Sequence, residues 1–271
     1  MKILILSGTH GNEMAAVHAG LLLTRYFSED DNVTVKPFLN KSGLINNSRE
    51  VYHSSTHDLN RGFKKNLDTF TDIVDHTKSL VEQYDYVIDI HNSHRCANFC
   101  LIDVGENDEL IKSICYLSDV EYATRYSKGG TIKDYVNSNK GIGITYEFSG
   151  MQTLNTNKEI LKAVNDIKSI VSFVKEWDKN ITFMPREQLL FDLYCLTTGF
   201  VNFSKDINDM VSAGEVVFEV INDKGEVIES VVNPHSFPIK LIALGHSFQE
   251  KGSSVLQYIK KVGNYETAEQ D

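Results

Sequence analysis

Short apolar runs alternate with longer stretches of helical periodicity along most of the chain. A short apolar run is typical of a buried strand, and apolar positions three or four apart are typical of a helix. The predicted strands cover residues 2–6, 33–38, 86–90, 99–102 and 141–146. The predicted helices cover residues 14–27, 66–83, 107–117, 131–137 and 157–177. Because the two kinds of element alternate, we expect an α/β fold with a mostly parallel or mixed sheet sandwiched by helices.

The pattern changes beyond residue 180. Apolar runs separated by turn residues predict a small β-rich C-terminal domain. These runs cover residues 189–195, 216–221, 227–232 and 239–244. We therefore predict a first domain at residues 1–182 and a small β domain at residues 183–271. The polar stretch after residue 262 is typical of a frayed tail.

Three details of the first domain bear on packing and function. In the first helix, Val17, Leu21 and Leu22 have the spacing of one face, and we expect that face to point inward. Pro37 favours an edge position or a strand end for the second strand. Residues 39–62 are polar and show no periodicity, and a loop of that length inside a compact domain is often functional.

Composition narrows the class of protein. The 271 residues suit one large domain, or one with a small second domain, and 41% hydrophobic residues are typical of a globular protein. A net charge of −10 without any basic block argues against a nucleic-acid partner. There is neither a signal-peptide pattern nor an apolar run long enough to span a bilayer, so we expect a cytoplasmic protein without a membrane partner. Four cysteines make no disulfide framework at this length, which fits a reducing compartment.

Three predicted strands are followed at once by side chains that can bind metal or move protons. His10 and Glu13 follow the first strand, His91 follows the strand at 86–90, and Glu147 follows the strand at 141–146. If these strands are parallel, the four side chains meet at one edge of the sheet. His, Glu and His suit a catalytic zinc with a position open for water, and the extra carboxylate suits a general base. For His10 and Glu13 alone, the alternative is a helix cap followed by an ordinary Glu.

The order of three short motifs along the chain allows a specific comparison with known families. The sequences H-G-N-E at 10–13, D-L-N-R at 58–61 and D-I-H-N at 89–92 precede a Glu at a strand end. This arrangement resembles the zinc carboxypeptidase superfamily, and within it the aspartoacylase and succinylglutamate desuccinylase family. The resemblance covers the first domain and, weakly, the β-rich tail. It implies a hydrolase with one zinc ion per chain that cleaves the amide bond of small N-acyl amino acids.

The resemblance also implies roles for residues outside the metal ligands. Asp58 would hold the second ring nitrogen of His10, and Asn60 with Arg61 would grip the carboxylate of the substrate. An Arg upstream of the N-R pair would stabilise the oxyanion, and Arg49 is the only Arg in that loop. His53 occupies the position nearer to the pair, so the assignment between Arg49 and His53 stays open.

Two departures from aspartoacylase leave the substrate open. Residues 134–138 hold no Arg where that protein binds the side-chain carboxylate of its substrate, and Lys133 or Lys140 are the nearest replacements. Phe248 stands near the place of a late Tyr. A carboxypeptidase for small peptides and a metal-containing binding protein without turnover are the alternatives, although an intact Glu147 argues against the second. A homo-oligomer is possible in each case.

Overall fold

The computed structural model describes residues 1–53, 57–64, 71–93, 96–103, 108–125, 129–150, 157–176, 188–244 and 248–261. It divides into two compact units, residues 1–185 and 186–271. The domain boundary predicted between residues 182 and 183 lies outside the described residues, as does the tail after residue 262. No helix within the described ranges is both long enough and apolar enough to cross a membrane.

The first unit is built on a six-stranded mixed sheet. Its strands are β1 (Ile3–Ser7), β2 (Val33–Lys36), β3 (Tyr86–Ser93), β4 (Phe99–Asp103), β5 (Tyr122–Arg125) and β6 (Ile142–Ser149). The order across the sheet is β2-β1-β3-β6-β4-β5. Strands β2, β1, β3 and β6 run parallel, while β4 is antiparallel to β6 and parallel to β5. The expected mixed sheet is confirmed, although the short and partly polar β5 has no counterpart among the predicted strands.

The described residues of this unit include six helices. They are α1 (Met14–Tyr26), α2 (Lys41–Ile45), α3 (Thr71–Val81), α4 (Asp108–Leu117), α5 (Ile132–Ser138) and α6 (Asn157–Glu176). The stretch predicted as a loop at 39–62 contains α2 and two 3₁₀ turns, Val51–His53 and Leu59–Arg61. Part of the helix predicted at 66–83 lies outside the described residues.

Side chains alternate between the two faces of this sheet, as strand geometry requires. Ile3 and Ile5 join the core formed with α1, α4 and α6. Leu4 and Leu6 join a second core formed with α3 and α5. Both faces are therefore covered, which confirms the expected layering. In β3 the same alternation places His91 on the face of α3 and α5.

The inward face of α1 differs from the prediction. Val17 is buried as expected, but Leu21 and Leu22 are each 43% exposed. The helix is instead buried through small residues, because Gly20 lies against Ser7, where an added Cβ would come within 2.1 Å of the hydroxyl oxygen. The close approach of the backbone to the sheet turns the two larger leucines outward.

In the second unit, residues 188–244 and 248–261 form eight strands in two antiparallel sheets. They are β7 (Gln188–Tyr194), β8 (Gly199–Phe203), β9 (Met210–Val211), β10 (Val216–Ile221), β11 (Val227–Val232), β12 (Ile239–Leu244), β13 (Phe248–Gln249) and β14 (Ser254–Lys261). One sheet has the order β7-β14-β12-β9 and the other β11-β10-β8-β13. A shared core includes Val201, Phe218, Leu241 and Leu256. The predicted β-rich region is confirmed, although β8 and β14 were missed where polar residues alternate with apolar ones.

Candidate metal and catalytic site

Two glycines shape the turn between β1 and α1 that carries the first motif. Gly8 has a positive φ of 69°, a conformation that side chains disfavour. Gly11 packs against α2 so closely that a Cβ would lie 1.9 Å from the carbonyl carbon of Gly43. This tight turn leaves His10 and Glu13 facing each other at the carboxyl end of β1, where the backbone N–H of Glu13 bonds the carbonyl of His10 at 3.2 Å.

Three polar side chains, two from the turn between β1 and α1 and one from β3, converge at that edge. His10 Nδ1 lies 2.6 Å from Glu13 Oε1, and His91 Nδ1 lies 2.9 Å from Glu13 Oε2. The two Nδ1 atoms are 3.2 Å apart. Candidate ligand atoms of all three residues lie within 4.8 Å of one another, and all three residues are buried. The structure thus brings together the three residues predicted as zinc ligands.

The remaining ring nitrogens show why this cluster suits a cation. His10 Nε2 lies 3.1 Å from Asp58 Oδ1, and His91 Nε2 lies 2.8 Å from Asp89 Oδ2. Carboxylates accept hydrogen bonds, so each Nε2 is the donor toward its aspartate, and an imidazole that has given up its second proton turns the lone pair of Nδ1 toward Glu13. Converging lone pairs and a carboxylate repel one another unless a cation lies among them. The donor set therefore fits a zinc ion.

The charges of the cluster follow from its contacts. Burial raises the pKa of Glu13, but the charges and hydrogen bonds of His10 and His91 outweigh burial and hold that pKa well below its usual value. Burial likewise opposes ionisation of Asp58, but its hydrogen bond to His10 and the charge of Arg49 bring its pKa well below the usual value. Both carboxyl groups are therefore ionised at neutral pH, as ligands and their supports must be.

Asp89 is a functional residue that the sequence reasoning missed. Its Oδ2 contacts His91, and its Oδ1 accepts a 2.7 Å hydrogen bond from the hydroxyl of Thr9. Asp89 and His91 are two apart in β3, so their side chains leave the same face of the sheet. The spacing D-x-H in a strand is the signal that would have identified this carboxylate as the support of the second histidine.

Asn92 joins the three chain segments of the site. Its side-chain oxygen accepts the backbone N–H of Ala16 at 2.9 Å, and its amide donates to the carbonyl of Gly150 at 3.1 Å. Its own backbone N–H donates to Glu13 Oε2 at 3.2 Å. The ends of β3 and β6 and the first turn of α1 are thereby held together around Glu13.

The predicted general base, Glu147, lies on β6, the strand that pairs with that of His91. In the parallel pairing of β3 and β6, Glu147 is the register partner of His91, and adjacent strands lie about 4.8 Å apart. Its side chain is partly exposed. Burial and the nearby charge of Glu147 raise the pKa of the Cys96 thiol, so that thiol stays protonated and is a poor metal ligand.

Arg49 lies at the rim of the cluster. Its Nε and Nη2 donate to Asp58 Oδ2 at 3.1 and 3.0 Å, and its Nη1 is 3.6 Å from Glu13 Oε1. The side chain is 40% exposed, so part of the guanidinium faces solvent. The competing side chain of His53 lies outside the described part of the structure.

Asn60 and Arg61 occupy different environments. Asn60 is buried, with its side-chain oxygen accepting the N–H of Ile132 at 3.0 Å and its amide nitrogen 3.3 Å from His91 Nε2. Arg61 is exposed and donates from Nη1 to the carbonyl of Asn60 at 2.7 Å. Lys133, one candidate to replace the missing Arg, is buried and donates to the carbonyl of Leu101 at 3.2 Å.

Comparison with known proteins gives the family. The model of the succinylglutamate desuccinylase/aspartoacylase catalytic domain matches residues 1–173. The chain belongs to this family. A curated relative, a probable aspartoacylase of Nostoc sp., is 23% identical over 227 residues, which cover 76% of this chain and 74% of the relative.

Solved structures agree on the fold. The ectoine utilization protein EutE of Ruegeria pomeroyi superposes with a TM-score of 0.76 at 15% identity, covering 94% of this chain and 84% of its own. An aspartoacylase family protein of Mesorhizobium loti gives 0.76 at 16% identity, covering 97% and 86%. A variant of murine aminoacylase 3 gives 0.64 at 12% identity, covering 96% of this chain and 94% of its own. At these identities the likeness concerns the fold.

Proposed function

We propose that this chain is a zinc-dependent amidohydrolase that releases a carboxylic acid and a free amino acid from small N-acyl amino acids. One zinc ion per chain would be held by His10, Glu13 and His91. The observation that carries the proposal is the convergence of their ligand atoms within 4.8 Å of one another. Two imidazoles and a carboxylate form the ligand set of zinc sites that keep a position open for chemistry. Membership of the family supports a deacylase-type hydrolase.

Each residue around the cluster has a separate role in the hydrolysis. Zinc would supply Lewis acidity, which lowers the pKa of water and polarises a carbonyl group. Glu147 accepts a proton from the attacking water and returns it to the nitrogen of the leaving amine. Asp58 and Asp89 hold the two imidazoles with Nδ1 turned toward the cluster, so that the ligands need no rearrangement.

Two arginine side chains at the edge of the site bind the substrate. Arg61 is exposed and carries the charge that anchors the α-carboxylate, while Asn60 positions it through the contact between the backbone of Asn60 and the guanidinium. Arg49, close to Glu13, donates to the oxyanion that develops on the acyl carbonyl. The cytoplasmic location stays a prediction from the sequence.

Turnover of a substrate panel tests the function. The zinc-loaded protein is assayed with N-acetyl and N-succinyl amino acids, and released amine is measured. We expect turnover of at least one class. Glu147→Gln should keep zinc and lose about 10²- to 10⁴-fold in kcat, because an amide cannot accept the proton. His91→Ala should lose zinc by elemental analysis while its circular dichroism stays native.

Glu159→Gln, in the first turn of α6 and also partly exposed, is the matched control and should behave as wild type. Absence of released amine for the whole panel would overturn the proposed reaction. Turnover by Glu147→Gln within a few-fold of wild type would show that another group is the base.

A further inference from the structure

Helix α1 begins at the metal cluster without a side-chain cap from its own N-terminal residue. Glu13 occupies the cap position, but its side chain makes no hydrogen bond to the helix. Its carboxylate instead contacts His10 and His91. The first backbone N–H groups of a helix have no partner within the helix and need one from elsewhere when they are buried. Ala15 and Ala16 are fully buried, so the protein itself must supply that partner.

Asn92 supplies the cap from another strand. It follows His91 in β3, so its side chain leaves the opposite face of the sheet, on the side of α1. Its Oδ1 accepts the N–H of Ala16, in the first turn of α1, at 2.9 Å. Its backbone N–H donates to Glu13 Oε2 at 3.2 Å. Because Asn92 caps the helix, the carboxylate of Glu13 remains available to the metal cluster.

The same amide reaches the strand of the proposed base. Asn92 Nδ2 donates to the carbonyl of Gly150 at 3.1 Å, and Gly150 lies three residues beyond Glu147. The backbone N–H of Gly150 donates to the carbonyl of Ser93 at 2.9 Å. The chain just beyond β6 is therefore bonded twice to β3. These two bonds fix the path of the strand end that carries Glu147.

The amide of Asn92 suits this bridge better than other side chains of its size. The residue is 4% exposed, and its oxygen and nitrogen both have partners. The oxygen only accepts and the nitrogen only donates, so the N–H of Ala16 and the carbonyl of Gly150 together set the orientation of the amide. An aspartate would offer two acceptors, and a leucine would offer neither kind of group. Asn92 thus connects the start of α1 to the end of β6.

We propose that Asn92 is a positioning residue, whose side chain holds the end of β6, and with it Glu147, at a fixed distance from Glu13 at the start of α1. The role rests on the proposed function, in which Glu13 binds the metal and Glu147 moves the proton. Asn92 acts through these two segments rather than on the substrate. A misplacement of about 1 Å in a reacting group can reduce the rate about 10²-fold.

Asn92→Ala tests the role in turnover. The variant loses both side-chain bonds but keeps the backbone N–H that donates to Glu13. With saturating zinc, kcat should fall about 10- to 100-fold. KM should change by less than about threefold, because Arg61, the proposed anchor of the substrate, lies on a different segment. Zinc affinity, measured against a chelator, should fall by less than about threefold, because the bond to Glu13 remains.

Asn137→Ala is the matched control. Asn137 Oδ1 accepts the N–H of Gly143 at 2.7 Å, so this side chain also bonds the backbone of β6, but four residues before Glu147. Each variant loses side-chain bonding to β6, and each should lower Tm by about 2–4 °C or somewhat more. Asn137→Ala should nevertheless keep kcat within about threefold of wild type. A purely structural role of Asn92 would instead make kcat follow Tm in both variants.

Amide hydrogen exchange tests the position of β6 without substrate. The N–H of Gly150 reports on the end of the strand and the N–H of Gly143 on its beginning. Asn92→Ala should accelerate exchange at Gly150 about tenfold or more, because the strand end loses one of its two bonds to β3, and should leave Gly143 as in wild type. Asn137→Ala should show the reverse pattern.

The outcomes separate this role from the proposed function. A wild-type chain without turnover refutes the reaction, whereas exchange at Gly150 still decides whether Asn92 holds the strand. Unchanged exchange at Gly150 in Asn92→Ala, or a kcat within threefold of an active wild type, would overturn the proposal. An equal loss of kcat in Asn137→Ala would also overturn it. Circular dichroism checks folding, and Asn92→Asp replaces an unfolded Asn92→Ala, because its carboxylate still caps Ala16 but has no proton for Gly150.

Discussion

Asp89→Asn isolates the charge that supports His91. The two residues are 1 and 2% exposed, and Asp89 Oδ2 lies 2.8 Å from His91 Nε2. The Asn side chain is nearly isosteric, so its oxygen can still accept the proton of Nε2 while its amide faces the hydroxyl of Thr9. The substitution therefore exchanges a charged hydrogen bond for a neutral one and leaves the geometry in place.

The expected effect follows from that exchange. A hydrogen bond to a charged group contributes about 1.5–3 kcal/mol and a neutral one about 0.5–1.5 kcal/mol, a difference of about 1–1.5 kcal/mol. Zinc affinity should thus fall about five- to tenfold, near the lower end of the range for groups that orient metal ligands. Thr9→Val removes the hydrogen bond to the other oxygen of Asp89 but leaves the carboxylate beside His91 in place, so it should cost less.

Competition with a chromophoric chelator measures zinc affinity directly and needs no substrate. Asp166→Asn serves as the control, because Asp166 bonds the hydroxyl of Tyr146 on the opposite face of the sheet. It should bind zinc as wild type does. If Asp89→Asn kept wild-type affinity, or if Asp166→Asn lost as much, then the contact with Asp89 would not tune the metal site.

Further predictions address the turn, α1 and the substrate. Gly11→Ala should lower Tm by more than about 5 °C, because the Cβ of the alanine would overlap the backbone of Gly43. A Tm within about 1 or 2 °C of wild type, which corresponds to a few tenths of a kcal/mol, would contradict this prediction. Leu23→Ala should lower the free energy of unfolding by about 2–5 kcal/mol, whereas Leu22→Ala should change it by less than about 0.5 kcal/mol in urea titrations. Amidation of the α-carboxylate should lower kcat/KM about 10- to 100-fold through loss of the pair with Arg61, while neutral analogues of acidic side chains should cost much less. Strong preference for acidic side chains would refute that last expectation.

The sequence could predict which residues meet in the candidate metal site because each lies at or just beyond the carboxyl end of a strand. His10, His91 and Glu147 were assigned from position alone, and parallel pairing of their strands brings them to one edge. The partners of these side chains were harder to predict. Asp89 and Thr9 are 80 residues apart, and only the register of β1 against β3 reveals their contact.

Errors in the prediction of packing have a simple physical cause. The hydrophobic pattern predicts that Leu21 and Leu22 are buried. A helix whose axis lies close to the sheet is instead buried through its small residues, and here Gly20 of α1 packs against Ser7 of β1. Asn60 illustrates a related limit. Its motif suggests contact with substrate, yet in the structure its side chain also ties the first residue of α5 to the region of His91.

Asp58 links the proposed metal site to Arg49, the proposed oxyanion donor, through one carboxylate. Its Oδ1 faces His10, and its Oδ2 takes two donors from Arg49. An anion that attracts Arg49 weakens the ion pair between Arg49 and Asp58 and so changes the hydrogen bond between Asp58 and His10. A metal bound to His10 changes the ion pair between Asp58 and Arg49 in turn. Thermodynamic reciprocity then requires that each ligand alter the affinity of the other by the same factor. If an analogue draws Arg49 away from Asp58, more of the carboxylate charge is left to support His10, and metal affinity measured against a chelator should rise with analogue present.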